Sequence, residues 1–188
     1  MKTQRRSNGK RIAAFGSVKV MVITALFVAM SIVFGKYLAI NLGEAMRFSF
    51  ENLPILLAGI MFGPVVGLIA GVVSDLLGCL MVGYAINPLV TVGAALIGFL
   101  SGAVYMLIKK TGLPFWFKIS LPVLVSHTVG SVLVKTAGLS QFYDMPYFEF
   151  MLWRVLNYLI IGALEYTLIY FVMKNKTVKA HLEAFRRG

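Results

Sequence analysis

The chain has 188 residues, 59% of them hydrophobic, and a formal net charge of +11. So large an apolar share excludes an ordinary water-soluble globule and points to a polytopic membrane protein in which lipid replaces the core as the apolar solvent. The positive charge falls mainly in short connections between apolar runs, so topology rather than nucleic acid accounts for it, and the single Cys79 excludes a disulfide framework.

Residues 1–17 form a basic segment (Lys2, Arg5, Arg6, Lys10, Arg11), expected on the cytoplasmic side. The apolar run after it is too long for a signal peptide and lacks a small-residue cleavage pattern, so it reads as an uncleaved first span over 18–40. Ala25 and Ala29 sit in it at small-x-x-x-small spacing. That places a flat strip on one helix face, either for packing inside the bundle or for docking another subunit.

The stretch 47–78, RFSFENLPILLAGIMFGPVVGLIAGVVSDLLG, organises the rest. It opens as a polar, aromatic loop, turns apolar at Leu53 and breaks at Gly63-Pro64. The apolar part, 53–62, is half of the roughly 20 residues that a span needs, about 15 Å of helix. The second membrane element is therefore short or recruits the polar residues before it. Polar or irregular backbone survives at membrane depth only where protein or a water-lined cavity covers it. This predicts a cavity opening at one membrane face with residues 47–52 at its mouth.

A third span is predicted over 65–82, with Gly67, Gly71 and Gly78, and a fourth over 89–108, with Gly93, Gly98 and Gly102. Glycines so spaced suggest a tightly packed bundle. Lys109, Lys110 and Lys118 bracket a short loop, a fifth span covers 119–137, the loop GLSQFYDMPYFEF follows, and a sixth span covers 151–173. A basic tail, 174–188, closes the chain. The fold expected is an all-α integral membrane protein with six transmembrane helices in one domain, 18–173. Six spans put fourteen of the eighteen Lys and Arg on one side, so both termini are expected to be cytoplasmic.

Lys36, Arg47, Lys135 and Arg154 break that bias, since all four fall in the outer half. Snorkelling to the headgroups is the plain reading of Lys36 and Lys135. Arg154 is a stronger candidate for function, because an ionisable residue in an apolar run is costly and Asn157 and Tyr158 share its helix face. External aromatics surround these cations, among them Tyr37, Phe48, Phe50, Tyr84, Phe142, Tyr143 and Trp153. Part of this set is an interfacial belt, but flat rings with fork donors also suit a planar ligand bearing carboxylates, held outside the membrane. Asp75 and Glu165 are intramembrane acids that either pair internally or relay protons. His127 is either a ligand contact or a satisfied helix–helix hydrogen bond. The chain has no P-loop, HExxH, CxxC or serine elbow, and its halves do not look like inverted repeats.

Together these features resemble the substrate-binding S components of energy-coupling factor (ECF) transporters. The resemblance rests on the external loop running into ENLPILLAGIMFGPVVGLIAGVVSDLLG, on NPLVTVGAALIGFLSGAVY, and on the Ala25/Ala29 pair, which is similar to the family's coupling-subunit contact in the first helix. HTVGSVLVKTAGLSQFY followed by Arg154 resembles the folate-specific branch, where a Gln usually stands near the position of Asn157. The resemblance implies no catalytic, metal or cofactor site. It implies a multi-pass protein of the bacterial cell membrane that captures folate in an extracellular pocket and delivers it with a transmembrane coupling subunit and two ATPases. The ligand-binding residues expected are Arg47, Phe50, Glu51, Tyr84, Asn87, His127, Lys135, Trp153, Arg154 and Asn157. Two alternatives stay open: an S component for another vitamin, such as riboflavin or a queuosine-type base, and an intramembrane enzyme or scaffold using Asp75 and His127.

Overall fold

The computed structural model describes residues 18–42, 46–178 and 180; the basic segment 1–17 and the remainder of the tail lie outside the described residues. Helix α1 (Val18–Tyr37) ends in a π-helical turn. A small antiparallel hairpin, β1 (Ile40–Leu42) with β2 (Met46–Phe48), pairs Asn41 with Arg47. The helices α2 (Asn52–Phe62), α3 (Pro64–Val82), α4 (Pro88–Ile108), α5 (Phe115–Phe142) and α6 (Tyr147–Lys174) follow. Of the six helices among the described residues, five are long and apolar enough to cross a membrane; α2, at 11 residues, is not. The membrane body is all helical as expected, and the hairpin is a departure confined to the first connection.

The predicted loop after the fifth span is a second departure. Helix α5 continues to Phe142 and α6 begins at Tyr147, which leaves 143–146 to connect them. Hydropathy stops early here because the end of α5 is polar. Yet Lys135, Thr136, Gly138 and Ser140 are all buried, so these residues face protein rather than lipid.

Helix α2 sits at the centre. Ile55, Leu56, Leu57 and Ile60 cluster with Ile97 of α4, Ile119 and Val123 of α5, and Ile169 and Met173 of α6. Its polar start and its end are therefore wrapped by longer helices, which is how a half-length helix is tolerated at membrane depth. At Gly63 the chain takes φ +106°, a conformation that favours glycine, and Pro64 then opens α3 at a position where a missing N–H does no harm.

The glycine spacing becomes a seam between α2, α3 and α4. A methyl group built on Gly98 would strike the backbone of Gly67, one on Gly67 would strike that of Gly98, and one on Gly59 would strike Gly98 and Ser101. Three backbones thus approach at distances that admit no side chain, the geometry that small residues permit between membrane helices. Gly98→Val in the detergent-purified protein is expected to cost about 1–3 kcal/mol of stability through forced separation of α3 and α4. A thermal melt equal to wild type would show that the seam opens freely.

Candidate functional site

One end of the bundle opens into a cavity of about 360 Å³. The C-terminal ends of α1, α3 and α5 and the N-terminal ends of α2, α4 and α6 meet there, with β2 and the α3–α4 connection as walls. Its volume lies at the lower end of the roughly 300–1,000 Å³ of small-molecule pockets, too small for a polymer and far too large for a bare ion.

The four cations that break the charge bias in the sequence all line it: Lys36, Arg47, Lys135 and Arg154. Glu51 and Asp75 are the carboxylates in the lining, so the cavity carries a formal excess of two positive charges. The cations come from four different elements, and their partners differ. Lys135 is 4% exposed; its Nζ donates to Glu51 Oε1 at 3.1 Å and to Asn52 Oδ1 at 3.4 Å, while its stem packs on Gly93 of α4. Burial by itself pushes the Glu51 carboxyl up, but Lys135, and after it Arg47 and Lys36, outweigh that and hold it at about 2. Lys36 lies over the Tyr84 ring, 5.2 Å from its centre, and donates to Cys79 Sγ at 3.8 Å. Lys135 is turned inward against the snorkelling expectation, and Lys36, half-buried, forms part of the pocket wall.

The two arginines are held by neutral groups. Arg47 Nη2 donates to the carbonyl of Gly35, and the Arg47 carbonyl accepts from Asn157 Nδ2 at 2.9 Å. Arg154 is buried; its Nη2 donates to Ser131 O and to Tyr158 Oη, both at 3.2 Å, and its guanidinium lies over the Phe150 and Tyr158 rings. Among the described residues neither arginine pairs with a carboxylate, and the Nε of each is buried without a partner. A carbonyl or phenol fixes a guanidinium's direction without cancelling its charge, so both arginines still offer that charge to an anion.

Asp75 Oδ2 accepts from Thr91 at 2.6 Å across the α3–α4 contact. Asn87 caps α4 by accepting from Leu89 N–H at 3.0 Å, and its Nδ2 donates to Gly138 O at 2.8 Å. Tyr84, Phe142 and Tyr143 add rings at the rim.

A family model for the substrate-specific component of ECF transporters matches residues 19–184. The chain belongs to that family. As an S component it is a membrane-embedded part of a transporter and not an enzyme. A curated relative, the folate transporter FolT of Clostridium novyi (strain NT), is 36% identical over 64 residues, which make up 34% of this chain and 37% of that protein. The matched stretch thus spans little more than a third of the relative. A crystal structure of FolT bound with folic acid superposes with a TM-score of 0.66 over 81% of this chain and 90% of the other, at 23% identity, which shows a shared fold.

Of the residues singled out in this S component, Arg47, Glu51, Tyr84, Asn87, Lys135 and Arg154 come together in the cavity lining. Phe50, His127, Trp153 and Asn157 are not part of it. Trp153, 48% exposed, neighbours Arg154 in sequence but lies on another face of α6. Phe50 is exposed outside the lining, and Asn157 is buried against β2, where it holds Arg47 in place. His127 is buried against Glu165, with Nε2 and Oε2 2.5 Å apart. Lining residues outside the expected ligand-binding set include Asn52, Asp75, Cys79 and Tyr158. Two helical spacings carried a signal for these: Cys79 follows Asp75 by four residues, as Tyr158 follows Arg154.

Lys135→Met leaves Glu51 without its partner. The expected loss is below the roughly 3–5 kcal/mol of a fully buried pair, because the Glu51 side chain is 26% exposed and rehydrates in part. Adding Glu51→Gln should restore most of the melting temperature. If single and double variants are equally unstable, the packing of the lysine stem is what matters.

Proposed function

We propose that this S component captures folate, or a close relative of it, in the cavity between Arg47, Lys135 and Arg154. It would sit in the bacterial cell membrane with six spans, both termini cytoplasmic and the cavity facing outward. Delivery would proceed with a transmembrane coupling subunit and two ATPases. One observation carries the ligand reading: four cations against two carboxylates in a cavity of vitamin size, a surplus matching a planar dianion. The aromatic rim suits the ring system, and the likeness to FolT in sequence over 64 residues and in fold supports the same choice. The outward orientation is supported by the basic residues at the opposite end of the bundle, Lys109, Lys110, Lys118, Lys174 and Lys176.

Arg154 contacts the ligand's carboxylate in this reading. Truncating one partner of a buried charged pair costs about 2–5 kcal/mol, so Arg154→Ala should weaken folic acid binding roughly 30- to 4,000-fold. Arg154→Lys should recover only part of this, since a point charge does not replace a fork. A pterin lacking the glutamate should lose little when Arg154 is removed. Calorimetry on the purified protein measures all three, and mass analysis of co-purified ligand identifies the vitamin. A bound flavin, or equal losses for charged and neutral ligands, would overturn the reading.

Ala25 and Ala29 are both exposed on the outer surface of α1, which leaves the face free for a coupling subunit. Ala29→Trp is expected to abolish uptake in cells while folic acid binding to the purified protein stays intact. Loss of both together would count against a docking role.

A further inference from the structure

Below the cavity a chain of buried polar groups leads away from Arg154, and ligand contact accounts for none of its deeper members. Arg154, Tyr158 and Glu165 stand four and seven residues apart on α6, one face of the helix. Opposite them lies the π-helical stretch of α5, His127–Val134. There the Lys135 N–H bonds to Gly130 O instead of Ser131 O, the acceptor an α-helix would use. Ser131 O instead receives Arg154 Nη2 at 3.2 Å and Thr136 Oγ1 at 3.4 Å.

Both acceptors of Arg154 lean on His127. The Ser131 hydroxyl is 3.2 Å from His127 Nδ1, and the Tyr158 ring stacks on the imidazole with centroids 5.1 Å apart and planes 29° apart. His127 is fixed in turn by Glu165, which is completely buried. The Ser131 hydroxyl both donates and accepts, so it pairs with Nδ1 whichever ring nitrogen carries the proton. Two routes therefore run from Glu165–His127 to the same guanidinium nitrogen, one through a hydroxyl and its own backbone, one through a stacked phenol. His127, Ser131 and Glu165 are buried away from water, so none of the three has a substitute partner if its neighbour is removed.

We propose that Glu165 and His127 are positioning residues: their buried pair sets, through Ser131 and Tyr158, the direction in which Arg154 faces the ligand's carboxylate. This rests on reading the cavity as a site for a carboxylate-bearing ligand. His127 accordingly acts on binding without touching the ligand. Because the held group is a charge, the network bears on affinity for the anionic end and leaves recognition of the ring system to the cavity rim.

The test uses the full-length purified protein with Glu165→Gln and with Ser131→Ala, which deletes the buried hydroxyl facing His127 Nδ1 and keeps the Ser131 carbonyl. Each should weaken folic acid binding about 3- to 30-fold, the range for changes along a coupled network. Affinity for a pterin without glutamate should stay almost unchanged. In an Arg154→Ala background, Glu165→Gln should cause no further loss, the signature of two residues acting through one group. Independently of any ligand, the Nε–H resonance of Arg154, assigned by its disappearance in Arg154→Lys, should shift in both variants. Equal losses for folic acid and pterin, additivity with Arg154→Ala, or an unmoved resonance would overturn the proposal. Should wild type bind no folic acid, the proposed ligand fails, and the resonance still decides whether the pair orients Arg154. Should Glu165→Gln fail to fold, Ser131→Ala carries the same measurements.

Discussion

A helix that crosses only part of the hydrocarbon leaves polar backbone and side chains at membrane depth, and water cannot be their partner. Helix α2 is such an element, with 11 residues and about 16 Å of length. Everything around it answers to that constraint. Longer helices wrap its apolar flanks, glycines let α3 and α4 close upon it, and the space above its N-terminus becomes the cavity. Glu51 and Asn52, at that N-terminus, meet Lys135 from α5, so the start of a short helix doubles as the polar floor of the cavity.

Electrostatics in the cavity follow from the same enclosure. Charges in a low-dielectric surround interact more strongly than at a wet surface, and like charges gathered there raise each other's energy unless something offsets them. Glu51 offsets part of the excess by pairing with Lys135 and by the nearby Arg47 and Lys36. The arginines are tied only to carbonyl and phenol oxygens and to aromatic faces. Among the described residues Lys36, Arg47 and Arg154 thus pair with no carboxylate, and the cavity keeps a formal excess of two positive charges.

The π-helical stretch of α5 has a comparable logic. It redirects one backbone bond, from Lys135 N–H to Gly130 O, and Ser131 O then serves the Arg154 side chain. A regular helix would spend that carbonyl internally. The local irregularity therefore supplies a fixed acceptor for the guanidinium where water is absent.

The sequence by itself determined the class and much of the plan. Apolar runs of spanning length have one explanation, glycine spacing has few, and four basic residues on the wrong side of a charge bias mark themselves. Arg154 and Arg47 were legible for that reason, since cost in lipid is a property of the residue and its flanks. Only the tertiary structure decided which polar groups meet. Asn157 shares a face with Arg154, yet it bonds to a hairpin 110 residues earlier in the chain. His127 reads as a possible ligand contact, but the packing of α5 on α6 turns it toward Glu165 and away from the cavity. Trp153 sits beside Arg154 and faces outward, because adjacent residues on a helix point in directions about 100° apart. The hairpin, the polar end of α5 and the inward turn of Lys135 escaped hydropathy for one physical reason. Hydropathy records how a residue would fare against lipid or water, and at these places the neighbour is protein.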